Sequence, residues 1–246
     1  MIIINKNQKI LIIPDIHNHF NQAETIIKKE KDSDLIIFLG DYFDDFNDTE
    51  HDIHEAAKWL HYSINQKNRI HLWGNHDSYG YNNKLLICSG FQSWKYYVIK
   101  SYVTKEDWQK AHYFIILPGN WLLTHAGLHP SWLPNLEVKT NEEIFEWLKN
   151  EEIKAKQNFN SNKSHWFAAA GFCRNGRSPF GGILWLDFDE EFVPIKGINQ
   201  LVGHTPNINY CEKSDVYSIN YCIDTQPKLK CYAVYQNNKV KVKHSD

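Results

Sequence analysis

The 246-residue sequence predicts an α/β fold, because short apolar runs alternate with amphipathic segments and polar side chains follow the apolar runs. The clearest run is Leu-Ile-Ile-Phe-Leu at residues 35–39, and five consecutive apolar residues indicate a strand buried on both faces of a sheet. A chain of this length can bury a substantial core, and no repeat, low-complexity tract or linker divides it. We therefore expect residues 1–246 to form a single domain.

The composition limits the classes of protein to which the chain can belong. A hydrophobic fraction of 42% with 14% aromatic residues is typical of a globular protein. The 27 basic residues nearly balance the 29 acidic ones, so no basic field predicts nucleic-acid binding. Five scattered cysteines without CxxC spacing favour reduced thiols over a disulfide framework or a zinc ribbon. Without a signal peptide or an apolar run of roughly 20 residues, we expect a cytoplasmic protein with no membrane partner. The oligomeric state is left open.

Apolar runs and helical periodicity predict the elements in chain order. In the first half of the chain, strands are predicted at residues 10–13, 35–39 and 69–73, and helices at residues 20–31 and from a cap at Asp48 or Thr49 to about residue 66. In the second half, strands are predicted at residues 96–100, 114–117, 121–124, 182–187, 200–203, 216–223 and 229–235, with a last strand around Val240 and Val242. Further helices are predicted at residues 83–87, 105–111 and 142–154, with residues 163–170 continuing the helical region.

Local signals support the less obvious elements. Residues 20–31 and 142–154 repeat apolar side chains at the spacing of one helical face. Pro118-Gly119-Asn120 separates two apolar runs and predicts a hairpin between them. The histidines of the second helix have the spacing of a solvated face, and no function is assigned to them; they are His51, His54 and His61.

Six residues of metal-ligating type follow predicted strands. They are Asp15, His17, Asp41, Asn75, His125 and His204. Each alone has a simpler explanation, because an Asp after a strand is usually a turn residue or a helix cap. Together they supply carboxylate, amide and imidazole ligands at the strand ends where α/β sheets bind ligands, and this set suits Mn²⁺, Fe or Zn²⁺. Six ligands exceed the needs of one catalytic ion, so the sequence predicts two divalent ions about 3.5–4 Å apart that share a carboxylate.

The motifs around these residues resemble those of the calcineurin-like metallophosphoesterases. The motifs are Asp15-x-His17, Gly40-Asp41-x-x-Asp44, Gly74-Asn75-His76-Asp77, Thr124-His125-Ala126-Gly127 and Gly203-His204. They are most similar to the phosphoprotein phosphatase branch, which includes bacterial and viral members and the related symmetric diadenosine tetraphosphatases. The resemblance spans nearly the whole chain and implies a mixed β-sandwich flanked by helices.

The resemblance also implies a role for each residue. One metal ion would be held by Asp15, His17 and Asp41, and the second by Asp41, Asn75, His125 and His204. A hydroxide shared by the two ions, with Mn²⁺ as the expected metal, would attack phosphorus in line. His76 would then be the general acid, oriented by Asp44.

A loop with two arginines is expected to bind the phosphate oxygens of the substrate. Arg174 and Arg177 offer bidentate contacts, and Arg174 is the stronger candidate. Arg174-Asn175-Gly176 ahead of Trp185-Leu186-Asp187 looks like the Arg-Gly-Gly segment that precedes a Trp-x-Asp strand in bacterial relatives.

The sequence departs from the family pattern at three places. Asn18 stands where the family usually has Gly, and Asp45-Phe46 stands where the branch usually has Arg-Gly. A carboxylate in place of that arginine would repel a phosphate dianion, and Asp45 is expected near the rim of the site. Pro206 stands where nuclease and phosphodiesterase relatives place another His, which favours the phosphatase branch.

Three functions are compatible with these observations. The first is a metal-dependent phosphomonoesterase of phosphoprotein (Ser/Thr) phosphatase type, whose partner is a phosphorylated substrate. The second is a hydrolase of dinucleoside polyphosphates, which the same site could perform with a different entrance. The third is an inactive binding module, which the missing arginine suggests and the complete set of ligands opposes.

Overall fold

The computed structural model describes residues 4–45, 47–81, 83–134 and 140–245. The described strands are β1 (Ile10–Ile13), β2 (Leu35–Phe38), β3 (Arg69–His71), β4 (Phe114–Leu117), β5 (Trp121–Thr124), β6 (Asn199–Val202), β7 (Cys211–Glu212), β8 (Asn220–Cys222), β9 (Cys231–Gln236) and β10 (Lys239–His244). The described α-helices are α1 (Phe20–Lys29), α2 (Glu50–Ile64), α3 (Ser93–Tyr102), α4 (Lys105–Trp108) and α5 (Asn141–Asn160). Short 3₁₀ turns connect several of them, among them Asn75–Gly80 and Lys84–Leu86.

The strands form two mixed five-stranded sheets. The first has the order β10-β9-β1-β2-β3, in which β1, β2 and β3 are parallel and β9 runs antiparallel to β1. The second has the order β4-β5-β6-β8-β7, in which β5, β6 and β8 are parallel. The predicted hairpin of β4 and β5 is confirmed, with Leu117 paired to Trp121 across the turn.

The period of two along the buried strands explains how the sheets pack. Ile10 and Ile12 of β1 lie in a cluster with side chains of the second sheet, whereas Leu11 and Ile13 face the cluster that contains the helices. Since all four are fully buried, β1 is apolar on both faces. The two sheets therefore stack over a shared core with helices outside, and the expected mixed β-sandwich is confirmed.

Capping residues fix where the helices begin. Thr49 caps α2, because its hydroxyl accepts a hydrogen bond from the Asp52 backbone while the Asp52 side chain accepts one from the Thr49 backbone. Thr140 and Glu143 form the same reciprocal arrangement at the start of α5. Of the two caps considered for α2, Thr49 is the one that the structure uses.

Two segments that were predicted as strands are not strands. Residues 96–100 belong to α3, because the buried side chains are Lys95 and Ile99, four residues apart, on the face that packs against α2. Residues 182–187 form a turn in which the backbone N–H groups of Trp185 and Leu186 both donate to the Gly182 carbonyl. In each segment β-branched or bulky apolar residues favoured a strand locally, and tertiary packing overrode that preference.

Other predicted bounds shift without changing the architecture. Residues 163–170 contain a single 3₁₀ turn at Trp166–Ala168, and the helix predicted at 142–154 extends to Asn160. The strand predicted at 216–223 shortens to β8, because Val216 and Tyr217 are 89% and 59% exposed. Phe46 lies outside the described residues. Within the described ranges, every helix is too short or too polar to span a lipid bilayer.

Candidate active site

The carboxyl ends of the parallel strands of both sheets meet at one place. Asp15 and His17 follow β1, Asp41 follows β2 and Asn75 follows β3 in the first sheet. In the second sheet His125 directly follows β5, and His204 follows β6 after Gly203. The structure brings all six predicted ligands together, as the common edge of parallel strands requires.

Two groups of side chains share Asp41. In one group, the ligand atoms of Asp15, His17 and Asp41 lie within 4.8 Å of one another. In the other, those of Asp41, His125 and His204 do so. The Oδ2 atom of Asp41 is 3.5 Å from His17 Nε2 and 3.4 Å from His125 Nε2, so one carboxylate oxygen faces both groups.

The second group also includes the side chain of Asn75. The Nε2 atom of His125 lies 2.9 Å from Asn75 Oδ1 and 3.1 Å from His204 Nδ1. The other ring nitrogen of His125 donates to the Leu39 carbonyl at 2.9 Å, which directs the Nε2 lone pair toward the group. His17 is held in the same way, since its Nδ1 donates to the Phe43 carbonyl at 2.8 Å.

Unusual backbone conformations set these side chains in place. His17, Asp41 and His204 have φ values of 38°, 52° and 69°, in the left-handed region that few residues with a side chain adopt. Asn18 has φ 66°, which explains how Asn replaces the usual Gly there, because Asn tolerates this region better than most residues. A Cβ atom on Gly203 would come within 2.0 Å of Asp15 Oδ1, so the approach of these two strand ends requires glycine.

The chemistry of the donors fits two divalent cations that share Asp41. Buried carboxylates, imidazoles and an amide oxygen are a hard-to-borderline set, and buried charges need such compensation. His204 Nδ1 and His125 Nε2 point at each other, and the buried His204 Nε2 has no hydrogen-bond partner among the described residues. Burial lowers the pKa of His204 well below its usual value, which favours the neutral imidazole that a metal ligand must be.

A histidine and a carboxylate lie beside the cluster. His76 Nδ1 donates to Asp44 Oδ2 at 3.1 Å, and the His76 backbone N–H donates to Asp41 Oδ1 at 2.8 Å. Tyr79 and Lys95 donate to the other Asp44 oxygen at 2.7 and 2.9 Å. Burial opposes a charge on His76, but the charge of Asp41 and the hydrogen bond to Asp44 outweigh it and raise the pKa of His76 to about 11. The hydrogen bond to Asp44 thus favours the protonated form of His76, the form from which a general acid donates.

The two loop arginines differ in their surroundings. Arg174 pairs with Asp187 at 2.8 Å, and its Nη2 donates to Thr205 at 3.3 Å next to His204. Its buried Nε has no hydrogen-bond partner among the described residues. Arg177 is exposed and makes no ion pair within the described part of the chain. The structure thus brings Arg174 to the cluster and leaves Arg177 at the surface.

Asp45 lies at the rim of the site. Its side chain is 39% exposed and lies 3.3 Å from Nε2 of His19, whose side chain is 42% exposed. The carboxylate is accordingly paired with an imidazole that is itself largely open to solvent.

Three further side chains support the site, and of these only Asp77 lies in a motif that the sequence shows. Asp77 accepts three backbone hydrogen bonds, from Asp41, Tyr42 and Gly74, and so ties the loops after β2 and β3 together. Burial and the charge of Asp41 raise the pKa of Asp77 to about 7. Tyr79 and Lys95 lie outside every element that the sequence predicts.

A buried ion pair lies beside Asp15. Lys228 donates to both oxygens of Asp224 at 2.9 Å. Burial and the charge of Asp15 raise the pKa of Asp224 to about 7. Asp224 follows β8 just as the other strand-end residues follow their strands, and that position is the signal that could have identified it. Lys228 has no comparable signal, because it lies in an irregular segment.

The fold and the site together define a metal-dependent hydrolase of phosphoric esters. Residues 8–208 match the calcineurin-like phosphoesterase family, and the chain belongs to that family. The clustered Asp and His side chains agree with the dinuclear metal dependence of the family. The resemblance inferred from the motifs is thereby confirmed.

Solved structures of two phosphatases are similar to the chain. One is a cold-active protein-tyrosine phosphatase of a psychrophilic Shewanella species, with 17% identity and a TM-score of 0.63 over 98% of this chain and 78% of that one. Another is a protein serine/threonine phosphatase from Saccharomyces cerevisiae with similarity to human phosphatase PP5, with 12% identity and a TM-score of 0.52 over 97% and 80%. At these identities the likeness shows the fold. The comparison with curated proteins found no match.

Proposed function

We propose that the chain is a phosphomonoesterase of phosphoprotein phosphatase type. The observation that carries this proposal is the hydrogen-bonded pair of His76 and Asp44 beside the cluster of carboxylates and imidazoles. A serine or threonine alkoxide is a strong base and must be protonated as it leaves, and a held imidazolium can supply that proton. The leaving group of a dinucleoside polyphosphate is a phosphate of lower basicity and needs such an acid less.

The metal ligands are assigned in the same proposal. Two divalent cations, with Mn²⁺ as the expected metal, would be held by Asp15, His17 and Asp41 and by Asp41, Asn75, His125 and His204. When bound, they would activate a water molecule for in-line attack at phosphorus. Asp41 lies between the two groups of ligands, and its Oδ1 accepts a hydrogen bond from the His76 backbone N–H at 2.8 Å, which fixes the acid relative to the ligands.

Asp44 acts as the positioning residue for the acid. Burial raises the pKa of Asp44, but hydrogen bonds from His76, Lys95 and Tyr79 outweigh this and lower it, so that the carboxylate stays charged. Its Oδ1 accepts hydrogen bonds from Lys95 and Tyr79, and its Oδ2 accepts one from His76. The ring of His76 is thus fixed 5.2 Å from the ring of His17, at the edge of the cluster.

Arg174 is the proposed phosphate-binding residue. It lies next to His204 through Thr205, and its side chain is 28% exposed, which leaves the guanidinium reachable from solvent. Because Asp187 fixes one edge of the guanidinium, the rest can contact phosphate oxygens without further ordering. We further propose that residues 1–246 act as one domain in the cytoplasm, which the scattered cysteines of the sequence support.

The test compares three substrates with purified, Mn²⁺-loaded protein. A phosphoserine peptide, para-nitrophenyl phosphate and diadenosine tetraphosphate are each assayed for release of phosphate or nucleotide. We expect turnover of the peptide and of nitrophenyl phosphate. Preferred cleavage of diadenosine tetraphosphate would transfer the assignment to a dinucleoside polyphosphatase, and no turnover of any substrate would favour an inactive binding module.

A further inference from the structure

A third group of ligand atoms lies around His76 and shares no residue with the two groups at Asp41. The ligand atoms of Asp44, His76 and Cys88 lie within 4.8 Å of one another. His76 Nδ1 is 3.1 Å from Asp44 Oδ2 and 3.6 Å from Cys88 Sγ. The Cys88 thiol also donates to the Asn75 carbonyl at 3.4 Å, which fixes its position relative to the cluster.

We propose that Asp44, His76 and Cys88 form a zinc site whose occupation inhibits the enzyme. Thiolate, imidazole and carboxylate are the three side-chain ligands that Zn²⁺ prefers. With Zn–S near 2.3 Å and Zn–N near 2.0–2.1 Å, tetrahedral geometry places sulfur and nitrogen about 3.5 Å apart. The observed separation of 3.6 Å between Cys88 Sγ and His76 Nδ1 therefore accepts the ion with little rearrangement.

The charges at this place balance when a divalent cation binds. On binding, the Cys88 thiol and the protonated His76 ring would each release a proton to solvent. The resulting thiolate and the Asp44 carboxylate balance the two charges of Zn²⁺. The charge of the nearby Lys95 ammonium is offset by Asp48, with which it pairs at 2.8 Å as well as with Asp44.

The ion can reach the site and complete its coordination. Cys88 and His76 are only partly buried, so a water molecule from solvent can supply a fourth ligand. Cys88 lies outside the regular helices and strands, in the segment that follows the 3₁₀ turn Lys84–Leu86.

Zinc at this site would remove the general acid. A metal on Nδ1 replaces the hydrogen bond to Asp44 and prevents the ring from becoming an imidazolium. The inhibition, though not the binding, rests on the proposed role of His76 in phosphomonoester hydrolysis. The two parts therefore need separate measurements.

Binding is tested with Co²⁺ as a spectroscopic substitute for Zn²⁺. The groups at Asp41 contain only nitrogen and oxygen donors, so a thiolate-to-cobalt charge-transfer band reports a cysteine site. Mn²⁺-loaded protein is titrated with Co²⁺, and we expect the band in the wild type and in Cys211→Ser but not in Cys88→Ser or Cys88→Ala. Cys211 is the matched control, because it is a partly buried thiol outside all three groups. A band that persists in folded Cys88 variants, or none in the wild type, would overturn the site.

Inhibition is tested by adding Zn²⁺ to the Mn²⁺-loaded enzyme with a phosphoserine peptide as substrate. Loss of an outer-shell partner already costs 10–100-fold in metal affinity, so loss of a ligand should raise the half-inhibiting Zn²⁺ concentration at least about tenfold in Cys88→Ser. Cys211→Ser should behave as the wild type does. Equal inhibition of all three proteins would mean that Zn²⁺ acts by replacing Mn²⁺ at Asp41, and the inhibitory role would be wrong. If the protein shows the cobalt band but has no phosphatase activity, the proposed function is wrong, whereas the metal site at Asp44, His76 and Cys88 is supported.

Discussion

His76 and Asp44 show how much of the proposed chemistry depends on single side chains. Asp44 is 6% exposed and receives hydrogen bonds from His76, Tyr79 and Lys95, so neither its charge nor its orientation is free to vary. A buried carboxylate with three donors can be kept only where its neighbours compensate for its desolvation. The arrangement stabilises an imidazolium next to the cluster, which a surface histidine could not provide.

Replacing His76 by Asn should therefore separate substrates by their leaving groups. We expect kcat for a phosphoserine peptide to fall by about 10²–10⁴-fold, the usual loss for a general acid. The loss should be smaller for para-nitrophenyl phosphate, because nitrophenolate leaves without a proton. His61→Asn is the control, since His61 pairs with Asp107 on another face and should behave as the wild type. Equal losses on the two substrates would indicate that His76 only maintains the structure.

The two loop arginines should differ when each is replaced by Ala. Arg174→Ala removes the guanidinium that lies next to His204, so KM should rise and kcat should fall together, with metal content unchanged. Arg177→Ala serves as the matched control, because Arg177 is exposed in the same loop. Steady-state kinetics and elemental analysis measure both effects. If kcat/KM stays the same in both variants, the loop does not bind substrate.

Asp45 should influence simple phosphate esters through its charge. Asp45→Arg replaces a rim carboxylate by a cation, and kcat/KM for para-nitrophenyl phosphate should rise, mainly through KM. Because exposed charge pairs contribute up to about 1 kcal/mol, a gain of about fivefold or less is expected. The gain should shrink at high salt. A loss on a peptide with basic flanking residues would instead show that Asp45 recognises a positive group, and no change on either substrate would mean that the side chain points away.

The elements were predicted well where a strand is a short apolar run or a helix has one apolar face, and poorly where burial is decided by packing against a distant segment. Strands β1 and β2 and the hairpin of β4 and β5 are continuous apolar runs, and such runs leave few alternatives when they are short. Segment 96–100 has similar local composition, yet its burial is set by α2, which sequence periodicity does not reveal. The turn at 182–187 was mistaken for a strand for a similar reason, because a buried turn and a buried strand can have the same apolar composition.

The residues of the site likewise differ in whether the sequence could predict them. Residues at strand ends could be predicted, because a buried strand determines where its last residue lies. Lys95 and Tyr79 could not, because they reach Asp44 from α3 and from a 3₁₀ turn whose positions depend on packing. Lys228 likewise reaches Asp224 from an irregular segment. The sequence thus predicted the ligand-type residues at the strand ends. It did not predict the residues that hydrogen-bond to the carboxylates of the site.

Element α1 is anchored by a carboxylate whose charge should contribute to stability. Glu30, at the end of α1, accepts hydrogen bonds from Lys243 of β10 and Tyr232 of β9 at 2.6 and 2.8 Å and pairs with Lys9 at 2.8 Å. Burial alone would raise the pKa of Glu30, but these partners outweigh it and lower the pKa to about 2. The folded state therefore prefers the ionised form more strongly than the unfolded state does.

Glu30→Gln should lower the free energy of unfolding at pH 7 by on the order of 2–3 kcal/mol. Since the folded pKa is lowered, the contribution of Glu30 is fully present above about pH 4.5 and is lost as the pH falls toward 2. The difference between variant and wild type, measured by urea unfolding, should thus shrink between pH 5 and pH 3. Glu55→Gln is the control, because Glu55 forms only an exposed pair with Lys58 on α2. A difference independent of pH would show that the charge of Glu30 does not matter.

At the scale of the whole molecule, the two sheets meet at their metal-binding edge. Asp15 and Asp41 come from the first sheet, and His125 and His204 come from the second. Cations bound between them would link the halves of the sandwich in addition to the apolar core that the sheets share. Asp15 and Asp41 are each only 1% exposed and belong to the same group of ligand atoms. Without cations, their buried negative charges would have fewer positive charges nearby to offset the loss of hydration.

Chelation should therefore abolish activity and also lower the unfolding temperature. Ligands that bind only the folded state stabilise it by about 2.7 kcal/mol at a hundredfold excess over Kd, so the shift should be several degrees and depend on the Mn²⁺ concentration.

Elemental analysis should find close to two metal ions per chain in wild-type protein, and fewer in Asp41→Asn, because that carboxylate faces both groups of ligands. Restoring Mn²⁺ should recover activity and unfolding temperature together in the wild type. Full activity in chelator, or a metal content near zero in active protein, would contradict the dinuclear site, whereas a single ion per chain would mean that only one of the two groups at Asp41 binds metal.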